Sequence, residues 1–379
     1  MAVASYIFAV LALCGGVFSL LALIAARAFL AQKPATGGFA PPVSILKPLK
    51  GCDPEMYEAF RSHCLQDHPA FELIFGVSSG DDPAAPLVER LRQEFPAVRI
   101  ELVVCSEVIG ANRKVSNLAA MLRLAQHEFV LVNDSDIRVP SGYLAKVMAP
   151  FSDASVGLVT CLYRGGHGKA RSLWSQLEAL GIVADFMPGV LSARMLEGGV
   201  RFALGSTMAI RRSALEQIGG FAAVADHLAD DYELGRRIAA AGHQVRIASV
   251  PVETAVPEYS LRDFFRHQLR WGRTVRSSRP AGHFALALTF GFFWATLAVI
   301  ASGATGWGLG LWLVILLLRL IVAVNYGRLL EDAQARRNLL LLPLLDLLAP
   351  VVWAASIAGN TVHWRGEIFR LQKGRLIRR

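Results

Sequence analysis

Cysteine and charge are both scarce in this chain. Five cysteines stand among 379 residues, at positions 14, 52, 64, 105 and 161. They form no CxxC and no Cys/His pairing at metal-ligand spacing, which excludes a disulfide scaffold and a cysteine-based zinc site and fits a reducing compartment. Charged residues make up 18% of the chain against 54% hydrophobic ones, and the mean hydropathy is +0.41. That balance excludes a disordered or fibrous chain and argues against an enzyme that is soluble throughout. Acidic residues are the scarcer sign, 30 against 39 Lys and Arg, for a net charge of +9. In so apolar a chain this excess marks the cytoplasmic edges of membrane helices rather than nucleic-acid binding.

The missing charge is missing in particular places. Tyr6 to Ala26 carries none over 21 residues, enough to cross a bilayer at about 1.5 Å per residue. No Lys or Arg precedes this run, and Arg27 and Lys33 follow it, so it reads as an uncleaved anchor with its N-terminus outside. Pro41 to about Ser278 has ordinary soluble patterning. Three further apolar stretches follow it: Phe284–Ser302, Leu311–Val324 and Leu339–Ile357. The first two read as a hairpin with its uncharged turn, Gly303–Gly310, outside, because Arg328, Arg336 and Arg337 come next. Arg319 within the second must snorkel or face protein. The third holds Pro343, Asp346 and Pro350 and precedes Arg365, Arg370, Lys373, Arg375, Arg378 and Arg379. It reads either as a plain fourth span or as a re-entrant or interfacial helix pair broken near the prolines. The expected organisation is an anchor at 1–30, an α/β domain at 40–260, an amphipathic interface helix at 261–278, membrane segments at 283–360 and a basic cytoplasmic tail at 361–379.

Strand-like and helix-like patterns alternate in the soluble segment, which argues for an α/β fold. Strands are expected at Val43–Leu46, Glu72–Val77, Arg99–Val104 and Phe129–Val132, and helices at Met56–Gln66, Leu87–Glu94 and Ser116–Ala125. In open α/β sheets ligands lie beyond the carboxyl ends of the strands, so residues just after each strand become candidates. The sharpest is Asp134-Ser135-Asp136. Two carboxylates two residues apart suit a hard divalent cation that takes its other ligands from water and phosphates. A lone Asp-x-Asp is more often a turn or a helix cap. Its company decides the matter.

Upstream, Gly110-Ala111-Asn112-Arg113-Lys114 is a basic loop at a helix start, suited to an anionic diphosphate. Downstream, Asp230-Asp231-Tyr232 opens another helix, where an acid is by itself ordinary dipole-favoured capping. Leu261–Arg276 is amphipathic, with Leu261, Phe264, Phe265, Leu269 and Trp271 on one side and Arg262, Arg266, Arg270, Arg273 and Arg276 on another.

In this order the motifs resemble the inverting family 2-type glycosyltransferases of GT-A fold, most closely the ceramide glucosyltransferase branch. The resemblance spans nearly the whole chain: Val43–Gly51, Asp81–Ala84, Gly110–Leu118, Asp134–Val139, Gly205–Arg211, Ala229–Tyr232 and Trp364-Arg365-Gly366. Pro188–Leu191 and Leu196–Phe202, leading into Gly205–Ala209, look like the bacterial hopanoid-biosynthesis glycosyltransferases. The fold so implied is a Rossmann-like cytoplasmic GT-A domain between N- and C-terminal transmembrane helices, in the inner membrane of a bacterium.

The resemblance implies a Mg²⁺ or Mn²⁺ held by Asp134 and Asp136, and a UDP-sugar donor met by Lys47, Pro48, Asn112, Lys114 and Asp134. It implies that Asp231 is the general base, that Arg270 and Trp271 hold the diphosphate and close the site, and that Asp230, Gly205 and Ser206 line the acceptor pocket. The donor would be N-acetylglucosaminyl and the acceptor a hydroxyl of bacteriohopanetetrol, with ceramide and UDP-glucose the alternative. Three positions depart from the pattern. His267 stands first in the motif that ends in Arg270-Trp271, so Gln268 or Arg266 would supply its polar contact. Ser79 aligns with the uridine-binding Asp, leaving that role to Asp81 or Asp82. Asp185–Pro188 replaces the neighbourhood of a histidine found in the eukaryotic ceramide enzymes.

The chemistry agrees with this resemblance. Glycosyl transfer needs a stabilised leaving diphosphate and a deprotonated acceptor on the opposite face of the sugar, and one Asp base without a second carboxylate nucleophile implies inversion. A helix start would lower the basicity of Asp231, so burial or Asp230 must offset it. A processive polysaccharide synthase shares these motifs but needs more spans. A polyprenyl-phosphate sugar synthase has a phosphate acceptor and needs little base catalysis, and a membrane scaffold would carry its acid pairs incidentally.

Overall fold

The computed structural model describes residues 2–378 apart from 33–37, 54, 167–170 and 365; Lys33, Arg365 and Arg379, counted above as basic flanks, lie outside the described residues. Short aliphatic runs form the central strands, whose side chains fill both faces of a covered sheet, while the edge strands also carry exposed residues. These are β1 (Val43–Pro48), β2 (Phe71–Val77), β3 (Arg99–Val104), β4 (Phe129–Val132), β5 (Ile137–Arg138), β6 (Val156–Thr160), β7 (Tyr163–Gly165), β8 (Met208–Arg211), β9 (Gln244–Ile247) and β10 (Val252–Thr254). The main sheet has the order β3-β2-β1-β4-β8-β6-β9, and β5-β10-β7 form a second one. β3, β2, β1 and β4 run parallel, β8 is antiparallel to β4 and β6, and β9 is parallel to β6. The helix expected from Ser116 begins instead at Arg113, because the Asn112 side chain accepts from the Val115 N–H and caps it three residues earlier.

Strand register brings distant residues together. Leu46 pairs with Val132, so Lys47, the next residue of β1, lies beside the turn that follows β4. Val132 also pairs with Met208, which carries Gly205–Thr207 up against Asn133 and Asp134. Thr254 pairs with Ile137 and thereby lies next to Asp136.

Among the described residues four helical runs are long and apolar enough to cross a membrane: Val3–Leu30, Leu173–Leu196, Gly306–Leu329 and Leu339–Ile357. The second corrects the reading of 41–278 as uniformly soluble in pattern. Leu173–Leu196 has a mean hydropathy of 1.4, is 56% buried, and contains a π-helical segment at Ile182–Phe186. It packs under Ala2–Leu30 and Gly306–Leu329. The Phe284–Ser302 stretch is not straight either; Pro280–Thr289 and Gly291–Ser302 meet at 47°.

Arg319 faces protein. Its guanidinium contacts Asp346 at 2.6 and 2.9 Å, Asp185 at 2.7 Å and the Ala184 carbonyl at 3.0 Å, joining two apolar helices to the π segment.

The Leu339–Ile357 stretch is not broken at its prolines. Leu342–Ile357 is one helix, with Pro343 in its first turn, where a missing N–H is harmless, and Pro350 inside. Both of its flanks are tied to the α/β domain and the Leu261–Ser278 helix. Before it, the Leu330 and Glu331 carbonyls accept from Arg164 of β7; after it, the Ile357 and Ala358 carbonyls accept from Arg276 and Arg273.

The basic tail is folded. β11 (Thr361–Trp364), β12 (Glu367–Gln372) and β13 (Arg375–Arg378) make an antiparallel sheet that rests on residues 226–228 of the α/β domain.

Candidate active site

Lys114 is the centre of the constellation. Its side chain is 9% exposed, and its Nζ lies 2.7 Å from Asp134 Oδ1 and 3.5 Å from Asp230 Oδ2. Burial opposes its charge, but Asp134 and Asp230 outweigh burial and raise its pKa. The loop carrying it closes onto the segment that leads into Asp230 and Asp231: the Asn112 amide donates to the His227 carbonyl at 2.8 Å and to Asp230 Oδ1 at 3.3 Å. Gly110 permits this approach, since a Cβ there would stand 2.5 Å from the Ala225 carbonyl oxygen.

Asp231 opens the Asp230–Ala240 helix, and its Oδ1 accepts the Tyr232 N–H at 2.8 Å. Burial, then the Asp230 charge, push its carboxyl up to about 6, with Lys114 pulling the other way. The offset that a base at a helix start requires is therefore present. Gly205 brings the two carboxylates together. A Cβ built on it would stand 3.1 Å from Asp231 Oδ2 and 3.4 Å from Asp134 Oδ2, so Asp231 and Asp134 converge on one point.

Asp136 accepts from the Thr254 hydroxyl, and burial followed by Asp134 raises its pKa. Lys47 is fully buried and donates to the Asp134 carbonyl at 3.1 Å; burial lowers its pKa to about 7 against the pull of Asp136 and Asp134. Beneath the turn, the Asn133 amide donates to the Ser206 carbonyl at 2.7 Å, Tyr143 Oη at 3.0 Å and Thr207 Oγ1 at 3.1 Å, while its Oδ1 faces His63 Nε2. This buried network holds the aspartate turn and the Gly205–Thr207 segment in one position.

Several expected residues have other engagements. Pro48 is buried within β1 beside Gly76. The Ser206 hydroxyl points to the Cys161 carbonyl. Asp82 accepts the Gly51 and Ala84 N–H groups at 3.0–3.1 Å, so it braces the turn, and Asp81 stays exposed beside it. Gln268 does not reach toward the aspartates: its amide donates to buried Glu178, and His267 Nδ1 lies 3.3 Å from the same carboxylate. Both residues are thereby anchored on the Leu173–Gly181 helix. Trp271 packs against Phe186 and His267, and Arg270, one residue earlier, is among the charges acting on Tyr259. Two arginines of the Leu261–Ser278 helix, Arg273 and Arg276, are occupied by carbonyls of residues 357–361.

Sequence reasoning missed Glu178, Thr254 and Tyr163. Burial, then the charges of Asp231, Glu178, Asp134 and Asp136, hold the Tyr163 hydroxyl in its protonated form. No local motif marks these three; only sheet pairing and helix packing bring them in.

The sequence profile of glycosyl transferase family 21 matches residues 5–377. The chain belongs to this family. It is accordingly a sugar-nucleotide-dependent hexosyltransferase. Among curated proteins, ceramide glucosyltransferase 3 of Caenorhabditis elegans is 26% identical over 88% of this chain and 73% of its own length. Ceramide glucosyltransferase 1 of the same organism is 28% identical over 70% of this chain and 58% of its own length. Among solved structures, the mannosyltransferase PcManGT from Pyrobaculum calidifontis, in complex with GDP-Man and Mn²⁺, superposes with a TM-score of 0.58 at 21% identity, over 93% of this chain and 97% of that one. The fold of this family 21 member is thus the α/β glycosyltransferase fold expected from the motifs, with apolar helices at both ends.

Proposed function

We propose that this family 21 enzyme transfers a sugar, with inversion, from a UDP-sugar to a hydroxyl of a membrane lipid at the cytoplasmic face of a bacterial inner membrane. The observation carrying this reading is the convergence of Asp231 and Asp134 on the point beside Gly205, with Lys114 bonded to Asp134. One carboxylate with a pKa near 6 then accepts the acceptor's proton, while lysine and aspartate handle the diphosphate a few ångströms away.

A divalent cation is implied by the family resemblance, and Asp134 and Asp136 fit one. Both offer hard carboxylate oxygens, and Asp134 is 35% exposed at the side chain. Two carboxylates leave the remaining positions of a Mg²⁺ or Mn²⁺ to diphosphate and water. When bound, the ion supplies Lewis-acid neutralisation of the leaving group. Lys114 contributes a fixed positive charge to the same phosphates, Asp81 is the exposed acid for the nucleoside side, and Arg270 and Trp271 lie where the interface helix meets the domain.

For the acceptor we favour bacteriohopanetetrol and N-acetylglucosamine, on the 188–209 motif run; the names of the curated relatives favour ceramide and glucose as the second reading. Protein reconstituted in liposomes, given labelled UDP-N-acetylglucosamine or UDP-glucose and either lipid, yields a glycolipid detectable by mass spectrometry. Transfer to a polyprenyl phosphate instead of a hydroxyl, or full activity in Asp231→Asn or Asp134→Asn, would overturn the assignment.

A further inference from the structure

The C-terminal sheet touches three parts of the site at once. At its edge, the Leu376 N–H donates to the Asp226 carbonyl at 2.7 Å, the Leu228 N–H donates to the Gly374 carbonyl at 3.3 Å, and His227 pairs with Arg375. These residues belong to the loop that runs into Asp230 and Asp231. Leu228 is buried in a small apolar core with Val362, Phe369, Leu371 and Leu376, and Ala111 of the lysine loop packs on that core. Finally, the Gly374 N–H donates to Ser277 Oγ at 2.7 Å, and Arg273 donates to the Thr361 carbonyl, so the sheet is fastened to the helix that carries Arg270 and Trp271.

Below the sheet, the base loop and the lysine loop are stitched to each other. The Asp226 carboxylate accepts the Ala111 N–H at 3.0 Å, the Ala225 carbonyl accepts the Asn112 N–H at 2.7 Å, and the His227 carbonyl accepts the Asn112 amide. Asp226 is exposed, so its hydrogen bond is not needed to fill a core. An exposed carboxylate joining two loops beneath a docked sheet has a geometric role rather than a packing one.

We propose that the Thr361–Arg378 sheet is a fastener of the catalytic site, and that Asp226 and Ser277 are positioning residues through which it sets Asp231 against Lys114. The idea rests on the reading of Asp231 as the base. Loosening the fastener leaves every catalytic group in the chain and misplaces them, and a displacement of about 1 Å costs on the order of a hundredfold in rate at the limit. Two loops that share one brace also respond to it together, so the effects of breaking it at two points do not add.

The test uses the full-length protein in liposomes, with folded, membrane-inserted enzyme quantified for each variant. Asp226→Ala and Ser277→Ala should each lower kcat about tenfold with KM within about twofold, and the double variant should be no slower than the worse single one. Asp226→Asn, which keeps an acceptor oxygen for the Ala111 N–H, should restore kcat to within about twofold. Unchanged kcat in both alanine variants, or losses that merely track the amount of folded enzyme and are not restored by Asp226→Asn, would overturn the fastener. If Asp231→Asn is fully active, the base assignment falls first; if it is inactive while both alanine variants are normal, only the fastener falls.

Discussion

Lys114 holds its ammonium 2.7 Å from Asp134 Oδ1, and that contact ties the Arg113–Leu122 helix to the turn after β4. The same ammonium faces Asp230 and opposes the pKa rise of Asp231. One cation therefore stands among three carboxylates that like-charge repulsion would otherwise drive apart.

Lys114→Met should leave those carboxylates uncompensated. The expected outcome is a fall in kcat/KM of about a hundredfold, the size typical for a lost charge clamp. The acid limb of the pH profile should also move up, because the charge that lowers the Asp231 pKa is gone. A pH–rate profile in reconstituted membranes reads both, and a limb that stays near pH 6 would contradict the ion-pair account.

The Asp231 shift predicts a pH dependence with a definite sign. Catalysis needs the carboxylate, so kcat should fall as pH drops through about 6. Stability runs the other way. The folded-state pKa lies above the unfolded value near 3.8, so ionising Asp231 works against folding, an effect absent below about pH 4 and complete above about pH 6. Asp231→Asn should therefore abolish transfer without lowering Tm at pH 7, as thermal denaturation in detergent can check.

Gly205→Ala should separate chemistry from folding. The new methyl meets Asp231 Oδ2 at 3.1 Å and Asp134 Oδ2 at 3.4 Å, crowding the point where the carboxylates converge. We expect kcat to drop at least about tenfold with Tm nearly unchanged. Normal turnover in this variant would mean that the convergence has no part in catalysis.

The Arg319 cluster makes a stability prediction. Arg319→Met strands the buried Asp346 without its cation and frees the more exposed Asp185, and breaking a buried pair such as Arg319–Asp346 costs about 3–5 kcal/mol. Loss of folded protein should follow, and adding Asp185→Asn with Asp346→Leu should recover much of it. Recovery by neither change would show that the cluster is not what joins these helices.

Much of the site could be read from the chain because its groups fall next to local signals. Asp134 and Asp136 follow an apolar strand, Asp231 opens a helix, and Lys114 follows a capping Asn112. Phe129–Val132 and the 29-residue Ala2–Leu30 helix were equally plain, since hydrophobic periodicity and run length are local properties. Leu173–Leu196 was harder, because a buried helix with Glu178 and Asp185 in it resembles a soluble one until its neighbours are known.

By itself the sequence determined which residues carry charge, which segments are apolar, and which motifs follow which strands. Tertiary structure alone decided their partners. It committed Gln268 and His267 to Glu178, Asp82 to a backbone turn, Arg273 and Arg276 to the end of the Leu342–Ile357 helix, and Arg319 to two aspartates far away in sequence. It also folded the basic tail into a sheet on the base loop. The physical reason is the same in each case. A buried or half-buried polar group must find a partner, and which partner lies within 3 Å is set by strand register and helix packing across the whole chain, not by its neighbours in sequence.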